Sequence, residues 1–518
     1  MRQSLETLKG SSFDVLVVGA GANGASAAQQ LTAAGYSVLL VDKGDFGSGS
    51  SSRSTRMMHC GLRYLAPGKS MFEFVREPRR LRTAVRMARS AMQNRAEFVE
   101  NTPTRALATN WFYPIYRNGP YSPWQVDLAF AVLKAVGPKA VPLGYKRLPA
   151  QEALQLPLLK WLREPSSLQG AGQYTEYLYD WPERICVDAA MEASRLGAEI
   201  RNYTEVTKSI TDDEGWVVTL RDTLSPAPEV PVRAKIVLNT AGIWIDEVNR
   251  RAVTKAAPRR RIAGTKGVHV MFRLPAECQG YGMTVINRVN QPINLTPWRG
   301  MHYFGPTETL FDGTVDEIEP LDDEIDWLVD EANFLLPTMP RLKRSDVLFS
   351  WAGVRPLTYD PAFPEGKRSR DLHNLEAEGM PNFFALTGGP IMTHRTAGAE
   401  LTRVVQDRLA PTRKPAPTSF AAPSFPENQN SPPLLDDYTD IKISDLRHAA
   451  AYEHVSNLSD LLFRRVGAGW TSTMSVSAAD KAAKSVADIL GWDEARIASE
   501  VAAYRLYLAQ NHKPLVRE

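Results

Sequence analysis

The stretch that most limits what this chain can fold into is Phe13-Asp-Val-Leu-Val-Val-Gly19-Ala-Gly21-Ala-Asn-Gly24. The apolar run Asp14 to Val18 is too short for a helix of its own and reads as a buried β-strand. A G-x-G-x-x-G turn follows, then a helix from about Ala25 to Ala34 with Gly35 as its stop. A second strand, Ser37 to Val41, ends on Asp42. Each part answers a physical need. Gly19 permits the tight turn, Gly21 lets backbone approach a pyrophosphate, and Gly24 brings helix and strand together. The helix N-terminus faces the phosphate charge, and Asp42 is placed to accept hydrogen bonds from a ribose. Together these predict a dinucleotide-binding α/β domain of Rossmann type.

The chain beyond Asp42 chooses between cofactors. It reads Gly47-Ser-Gly-Ser-Ser-Ser52-Arg53-Ser54-Thr55-Arg56-Met-Met-His59-Cys60-Gly61-Leu62-Arg63-Tyr64-Leu65. A nicotinamide site must release its cofactor and needs no such hydroxyl-rich run ending in His, Arg and Tyr. The run resembles that of FAD-dependent glycerol-3-phosphate dehydrogenases, within the wider glycine and D-amino-acid oxidase-like flavoproteins. Their version is approximately S-S-R-S-S-K-L-I-H-G-G-L-R-Y-L, with Lys where this chain has Arg56 and Gly where it has Cys60. Further matches are Asn239-Thr240-Ala241-Gly242-Ile-Trp244 to N-A-T-G-x-W, and Lys266-Gly267-Val-His269 to K-G-S-H. Gly353-Val-Arg355-Pro-Leu matches G-V-R-P-L, and Ser369-Arg370-Asp371 aligns with a substrate-side arginine.

The resemblance implies FAD held by Gly19, Gly21, Gly24, Asp42, Ser52, Arg53, Ser54, Thr55, His59, Gly61, Ala241, Gly242 and Trp244. On the flavin side it adds Arg355, Gly388, Gly389, Pro390, Met392 and Thr393. It implies a polyol-phosphate substrate, such as sn-glycerol 3-phosphate, held by Arg63, Tyr64, Arg355, Arg370 and Thr393, with electrons passed to quinone. A flavin oxidises an alcohol by taking hydride at N5 while a base removes the hydroxyl proton. Imidazole suits that base, so His59 and His269 are both candidates, each with a buried structural role as its alternative. Guanidinium suits an oxyanion, which makes Arg63 and Arg355 the residues of choice. One departure lies at Gly388-Gly389-Pro390-Ile-Met392-Thr393-His-Arg395, where the family has G-G-K-L-T-T-Y-R. Proline removes that lysine's charge and donors, and Cys60 adds volume nearby. Two other readings stay open: an oxidase of another hydroxy or amine substrate using oxygen, and a flavin-binding protein without catalysis.

At 518 residues the chain has ample length for two or three domains. Its formal charge of +3 is small for that length and gives a nucleic-acid partner no support. Cys60, Cys186 and Cys278 lie far apart with no C-x-x-C, which argues against a metal site or a disulfide framework and for a reducing compartment. Met1 to Ser12 lacks a signal-peptide apolar core, and no run reaches the length of a spanning helix. The expectation is a cytoplasmic protein, peripheral on the inner face of the cytoplasmic membrane, with a homodimer left open.

The pattern predicts a Rossmann-type flavin domain in three pieces, 12–65, 180–245 and 345–409. A mixed-sheet substrate and membrane-base domain, 66–179 and 246–344, is inserted into it. A Pro-rich linker, 410–436, leads to a helical cap, 437–518, with helices at 443–465, 477–490 and 492–509. Residues 66–100 read as a helix carrying Arg76, Arg79, Arg80, Arg82, Arg86, Arg89 and Arg95, either a solvated face or one drawn to anionic lipid. The aromatic run Trp111 to Tyr116, with Tyr121 and Trp124, fits an interfacial belt or a domain core equally well.

Overall fold

Strand Ser12–Val18 sits in the middle of an eight-stranded sheet, and its alternating side chains build two cores at once. It pairs in parallel with Val38–Val41 on one side and Val230–Asn239 on the other. Glu199–Arg201 and Phe383–Thr387 extend the parallel order outward. Val15, Val17, Leu40, Ile236 and Leu238 pack against the helices Ala22–Ala33, Pro182–Arg195 and His394–Gln406. Leu16, Val18, Leu39, Val41 and Val237 face the opposite layer, where the hairpin Thr204–Asp212 and Gly215–Asp222 brings Trp216, Val218 and Leu220. A strand buried on both faces reads as the continuous apolar run seen in the sequence. The computed structural model describes residues 3–65, 74, 78–254, 257–426, 428 and 430–515.

The second sheet has eleven strands and is almost wholly antiparallel. Its centre is the pair Ile262–Phe272 and Phe349–Asp360, in a register that sets His269 opposite Trp351 and Thr265 opposite Arg355. Strand Phe349–Asp360 falls in the segment expected to belong to the flavin domain. Its ladder places it in the second sheet instead, and it reaches the first domain through a hydrogen bond from Gly388 N–H to Pro356 O (2.9 Å). The run Trp111 to Tyr116 lies within strand Ala106–Tyr116, with Trp111 and Phe112 buried as core, whereas Trp124 is exposed. The basic helix spans Pro78–Asn101; Arg76 and most of 66–77 lie outside the described residues. Arg95 departs from the basic face. It is buried, donating to Val141 O (3.2 Å) and Thr175 O (2.9 Å).

The cap differs from expectation in one place. Instead of one helix over 443–465, Ile443–Tyr452 ends and a π-helical turn, Asp460–Arg465, follows. Between them His454 takes a left-handed φ of 53°, and the Asp460 carboxylate accepts the backbone N–H groups of Ser456 (2.9 Å) and Asn457 (3.3 Å). A local cap of this kind competes directly with helix continuation. The Pro-rich segment is irregular but bound down, with Arg413 N–H donating to Gly35 O (2.9 Å) and Ala416 N–H to Ala33 O (2.8 Å). Its end pairs as the short hairpin Pro433–Leu435 and Tyr438–Lys442. All three cysteines are buried free thiols.

Arg56 joins the three units. Its guanidinium is fully buried, 4.2 Å from the ring centres of Trp298 and Trp470 and 5.2 Å from that of Trp351. Its Nη1 lies 3.4 Å from the equally buried Glu183, which also accepts from Trp470 Nε1. Removing one partner of a buried ion pair leaves an uncompensated charge, at a cost of about 3–5 kcal/mol. Arg56→Ala should therefore lower the thermal midpoint sharply, and adding Glu183→Gln should recover part of the loss. Differential scanning calorimetry of the single and double variants checks this.

Candidate active site

The turn after the first strand is built by close approach. A Cβ on Gly24 would lie 1.9 Å from Gly19 O and 2.4 Å from Thr240 Oγ1, so helix Ala22–Ala33 can touch the strand end only with glycine there. Asp42 ends the second strand and braces this turn, its carboxylate accepting from Ala20 N–H (2.7 Å) and Gly44 N–H (2.9 Å). Burial pushes its pKa up to about 6, against the pull of those two donors. The helix N-terminus, Gly21 to Asn23, opens on a continuous cavity of about 1930 Å³ that runs from Asp42 to the second sheet.

At the Asp42 end the cavity is lined by Lys43, Ala241, Gly242 and Trp244. A loop of the second domain closes over it, Asp316 accepting from Lys43 Nζ (2.6 Å) and Trp244 Nε1 (2.8 Å). Midway lie Arg53, Ser54 and Thr55, with Arg53 Nη1 donating to Ile318 O (2.9 Å). At the far end the lining comprises His59, Arg63, Tyr64, His269, Glu308, Arg355, Arg368 and the turn Gly388 to Pro390.

The arginines set the electrostatics of that end. Gly267 leaves room for Arg355, because a Cβ there would lie 2.9 Å from Arg355 Nη2. Arg355 Nη1 is buried and without a hydrogen-bond partner. Burial and the neighbouring Arg63 lower the pKa of Arg355 to about 10, and the same two causes lower Arg368 to about 10. His59 packs edge-on to Tyr64 (5.4 Å), and burial, Arg63 and Arg368 push its pKa down to about 3. His269 stacks on Trp351 (4.7 Å), shares a hydrogen bond with Thr55 Oγ1 (3.2 Å), and is held well below the usual imidazole range by burial and Arg355. Both imidazoles are therefore neutral at physiological pH and keep a lone pair for a proton.

Several expected site residues stand elsewhere. Arg370 does not line the cavity; it pairs with Glu400 (3.0 Å) and donates to Thr393 Oγ1 (2.9 Å) and O (3.1 Å). Thr393 in turn donates to Pro390 O (2.9 Å), and Met392 is buried core, and neither lines the cavity. Ser52 closes its own turn by donating to Gly49 O (2.9 Å). Gly61 packs against helix Pro78–Asn101 at Ala88, and Gly24 acts through packing alone. The Cys60 thiol is also outside the cavity, in a core cluster beside Glu176, whose oxygens both accept Cys60 N–H at 3.0 Å. Burial raises Glu176 to about 7. Arg368 was missed because it stands two residues from Arg370 in Lys-Arg-Ser-Arg. Only the turn that gives Gly389 N–H to Arg368 O (3.2 Å) decides which of the two points inward.

A Rossmann-type nucleotide turn opening into a second-sheet cavity of neutral imidazoles and guanidiniums defines a flavin-dependent oxidoreductase architecture. The profile of the DAO family, FAD dependent oxidoreductase, matches residues 14–403. The chain belongs to this family, an enzyme class whose cofactor is FAD. It is 30% identical over 424 residues to a glycerol-3-phosphate dehydrogenase of Synechocystis, covering 79% of this chain and 73% of that one. A glycerol-3-phosphate dehydrogenase of Bacillus halodurans, solved with FAD, superposes with TM-score 0.73 at 20% identity, covering 98% and 96% of the two chains. An L-α-glycerophosphate oxidase of Mycoplasma pneumoniae with FAD bound gives TM-score 0.59 at 17% identity, over 80% of this chain and all (100%) of that one.

The residues present fit FAD. The cavity, about 1930 Å³, has room for a dinucleotide, begins at a helix N-terminus and the Asp42 carboxylate, and ends among unpartnered buried polar atoms. Gly21 borders the cavity with Ser51 Oγ only 3.1 Å from the position of a Cβ, so a larger side chain must project into the phosphate path. Gly21→Val should fold and purify colourless. The absorbance near the visible flavin bands, measured against protein concentration, checks the loss.

Proposed function

We propose that this enzyme oxidises sn-glycerol 3-phosphate, or a closely related polyol phosphate, at its secondary hydroxyl and delivers the electrons to a membrane quinone. The observation that carries this reading is the convergence of Arg63, Arg355 and Arg368 on one end of the cavity, with Arg355 Nη1 buried and unpartnered. Burial, and then the charge of Arg63, disfavour the charged forms of Arg355 and Arg368, so the cluster calls for an anion, and the planar fork matches a phosphate. The names of the relatives point to the same substrate.

Bound FAD supplies the hydride acceptor for this chemistry. The chain's own residues do the rest. Arg63, Arg355 and Arg368 hold the phosphate and so fix the distance from it to the carbinol carbon. A neutral imidazole receives the hydroxyl proton. His59 is favoured over His269, because its neighbours are the phosphate-side Arg63 and Arg368, while His269 is committed to Thr55 and Trp351. Phosphate bound between those arginines offsets their charge and raises the basicity of His59 where the proton is released. The Pro390 ring stands in place of the family's lysine, and Arg368 provides the missing charge from the neighbouring turn.

Losing a charged partner of the phosphate removes about 2–4 kcal/mol of transition-state binding, roughly 30- to 1000-fold in kcat/KM. Arg355→Ala should lose that much with glycerol 3-phosphate and little with glycerol, whereas His59→Ala should slow flavin reduction with both. Stopped-flow reduction with glycerol, glycerol 3-phosphate and erythritol phosphate decides; equal rates for Arg355→Ala and wild type on the phosphates would remove the assignment.

The membrane part of the proposal rests on one surface. Arg79, Arg80, Arg82, Arg86 and Arg89 are exposed along helix Pro78–Asn101, with Leu81 40% exposed among them. The adjoining helix Pro123–Val136 exposes Trp124 (57%) and Leu128 (46%) one turn apart. Apolar anchors beside basic residues suit an anionic bilayer surface, each charge adding about 1 kcal/mol. Among the described residues no helix is long and apolar enough to cross a membrane. Reversing Arg79, Arg80, Arg82 and Arg86 to Glu should abolish flotation with anionic liposomes and leave activity with soluble dyes intact. Flotation of both proteins alike would sink the membrane part.

A further inference from the structure

The phosphate end of the cavity carries an anion of its own. Glu308 lines it and forms an ion pair with Arg368, the guanidinium that stands in for the family's lysine. Both partners are held by backbone. Thr307 N–H donates to Val268 O (3.1 Å) and Thr307 Oγ1 accepts from Val268 N–H (2.9 Å), which pins the residue before Glu308 to the central strand. Arg368 is pinned through its own carbonyl by Gly389 N–H (3.2 Å). The pair is therefore placed by the fold and not by the chance meeting of two long side chains.

Its exposure makes it exchangeable. The side chains of Arg368 and Glu308 are 37% and 32% exposed, and an ion pair so open to solvent is weak. Arg355 has the opposite character, with a buried Nη1 and no partner. Glu176, the other carboxyl on this side, lies against Arg95 and the Cys60 N–H and does not compensate the cluster. Three guanidiniums and one carboxylate leave two positive charges, the complement of a phosphate monoester dianion.

We propose that Glu308 is a built-in counter-ion that occupies Arg368 until a substrate dianion displaces it, and so limits how tightly the site holds its anion. A singly charged ligand gains little at Arg368, because it only replaces the carboxylate it removes. A dianion gains a second interaction at Arg355 and Arg63 and outcompetes Glu308. The inference rests on the polyol-phosphate reading of the cavity, and it makes Glu308 an affinity-setting residue with no part in moving the proton.

The test is calorimetric titration of the FAD-loaded enzyme with inorganic phosphate and, separately, with acetate at pH 8. Glu308→Gln should bind phosphate about 3- to 10-fold more tightly than wild type, with acetate gaining no more than that, because the removed carboxylate repels the dianion more strongly than the monoanion. Glu308→Ala should do the same, which separates loss of charge from any new contact made by the amide. Arg355→Ala serves as the control for the site itself. If wild type binds phosphate and Arg355→Ala loses it, but neither Glu308 variant binds more tightly, the counter-ion proposal is overturned and the substrate reading stands. If Arg355→Ala binds phosphate as wild type does, the substrate reading fails with it.

Discussion

A single buried cation holds the three parts of this protein in register. Arg56 belongs to the loop that follows the nucleotide turn, Trp298 and Trp351 to the second sheet, and Trp470 to the cap, and their rings close around its guanidinium. The backbone at Arg56 is left-handed, with φ of 60°, a conformation that costs a non-glycine residue about 1–3 kcal/mol. That cost is borne where it fixes the loop beside both ligand-facing segments, Thr55 before it and His59 after it. Tyr303 OH donates to Thr55 O (2.5 Å) and Arg56 O accepts Tyr179 N–H (2.7 Å), so neighbouring backbone is tied to the second sheet at successive residues. Lysine, usual here in the family, is a compact ammonium without a planar face to stack between indoles.

A second charge network couples the cap to the nucleotide side. Arg464 and Arg465 both reach Asp45, three residues beyond Asp42, and Arg464 also holds Asp460 (2.5 Å). Burial alone raises the Asp45 pKa, yet Arg465 and Arg464 keep it well below the usual carboxylate range. Arg184 grips Glu453 through both nitrogens at 2.6 Å and Asp188 at 2.6 Å. Buried ion pairs of this kind contribute little net stability compared with apolar packing, but they allow one docking geometry and penalise the rest. The broken helix of the cap follows from them. A continuous helix over 443–465 would carry Arg464 and Arg465 away from Asp45, so the interruption at His454 and the π-turn at Asp460–Arg465 are where the docking constraint overrides helix propensity.

The same guanidiniums serve two ends at the active site. Burial holds both imidazoles below their usual range, with Arg63 and Arg368 adding to the effect at His59 and Arg355 at His269. The guanidiniums also place positive charge at that end of the cavity. On the proposed reading, anion capture and proton acceptance share one electrostatic arrangement, in which Glu308 already pairs with Arg368.

How much of this was legible beforehand depended on the range of the interaction concerned. The glycine turn, its flanking strands, Asp42, His59, Arg63 and Arg355 were all readable, because each is defined by local backbone geometry or by a motif a few residues long. Alternation also located the strands, since burial on one face leaves a period in the sequence. Arg368 and Arg370 could not be told apart, because two arginines in one turn differ only in which way a distant glycine pair bends the chain against them. The exposed Trp124 and the buried Trp111 were likewise indistinguishable, both being indoles in an aromatic run. Strand Phe349–Asp360 could be recognised as a strand but not assigned to a sheet, since pairing partners lie far away in sequence. The amino-acid sequence by itself determined the elements and, through the family resemblance, the cofactor class, and it named the candidates for the chemistry. Tertiary structure alone decided which side chains face the cavity and which charges meet, because orientation and charge pairing are properties of surfaces that exist only once the sheets and the cap have packed.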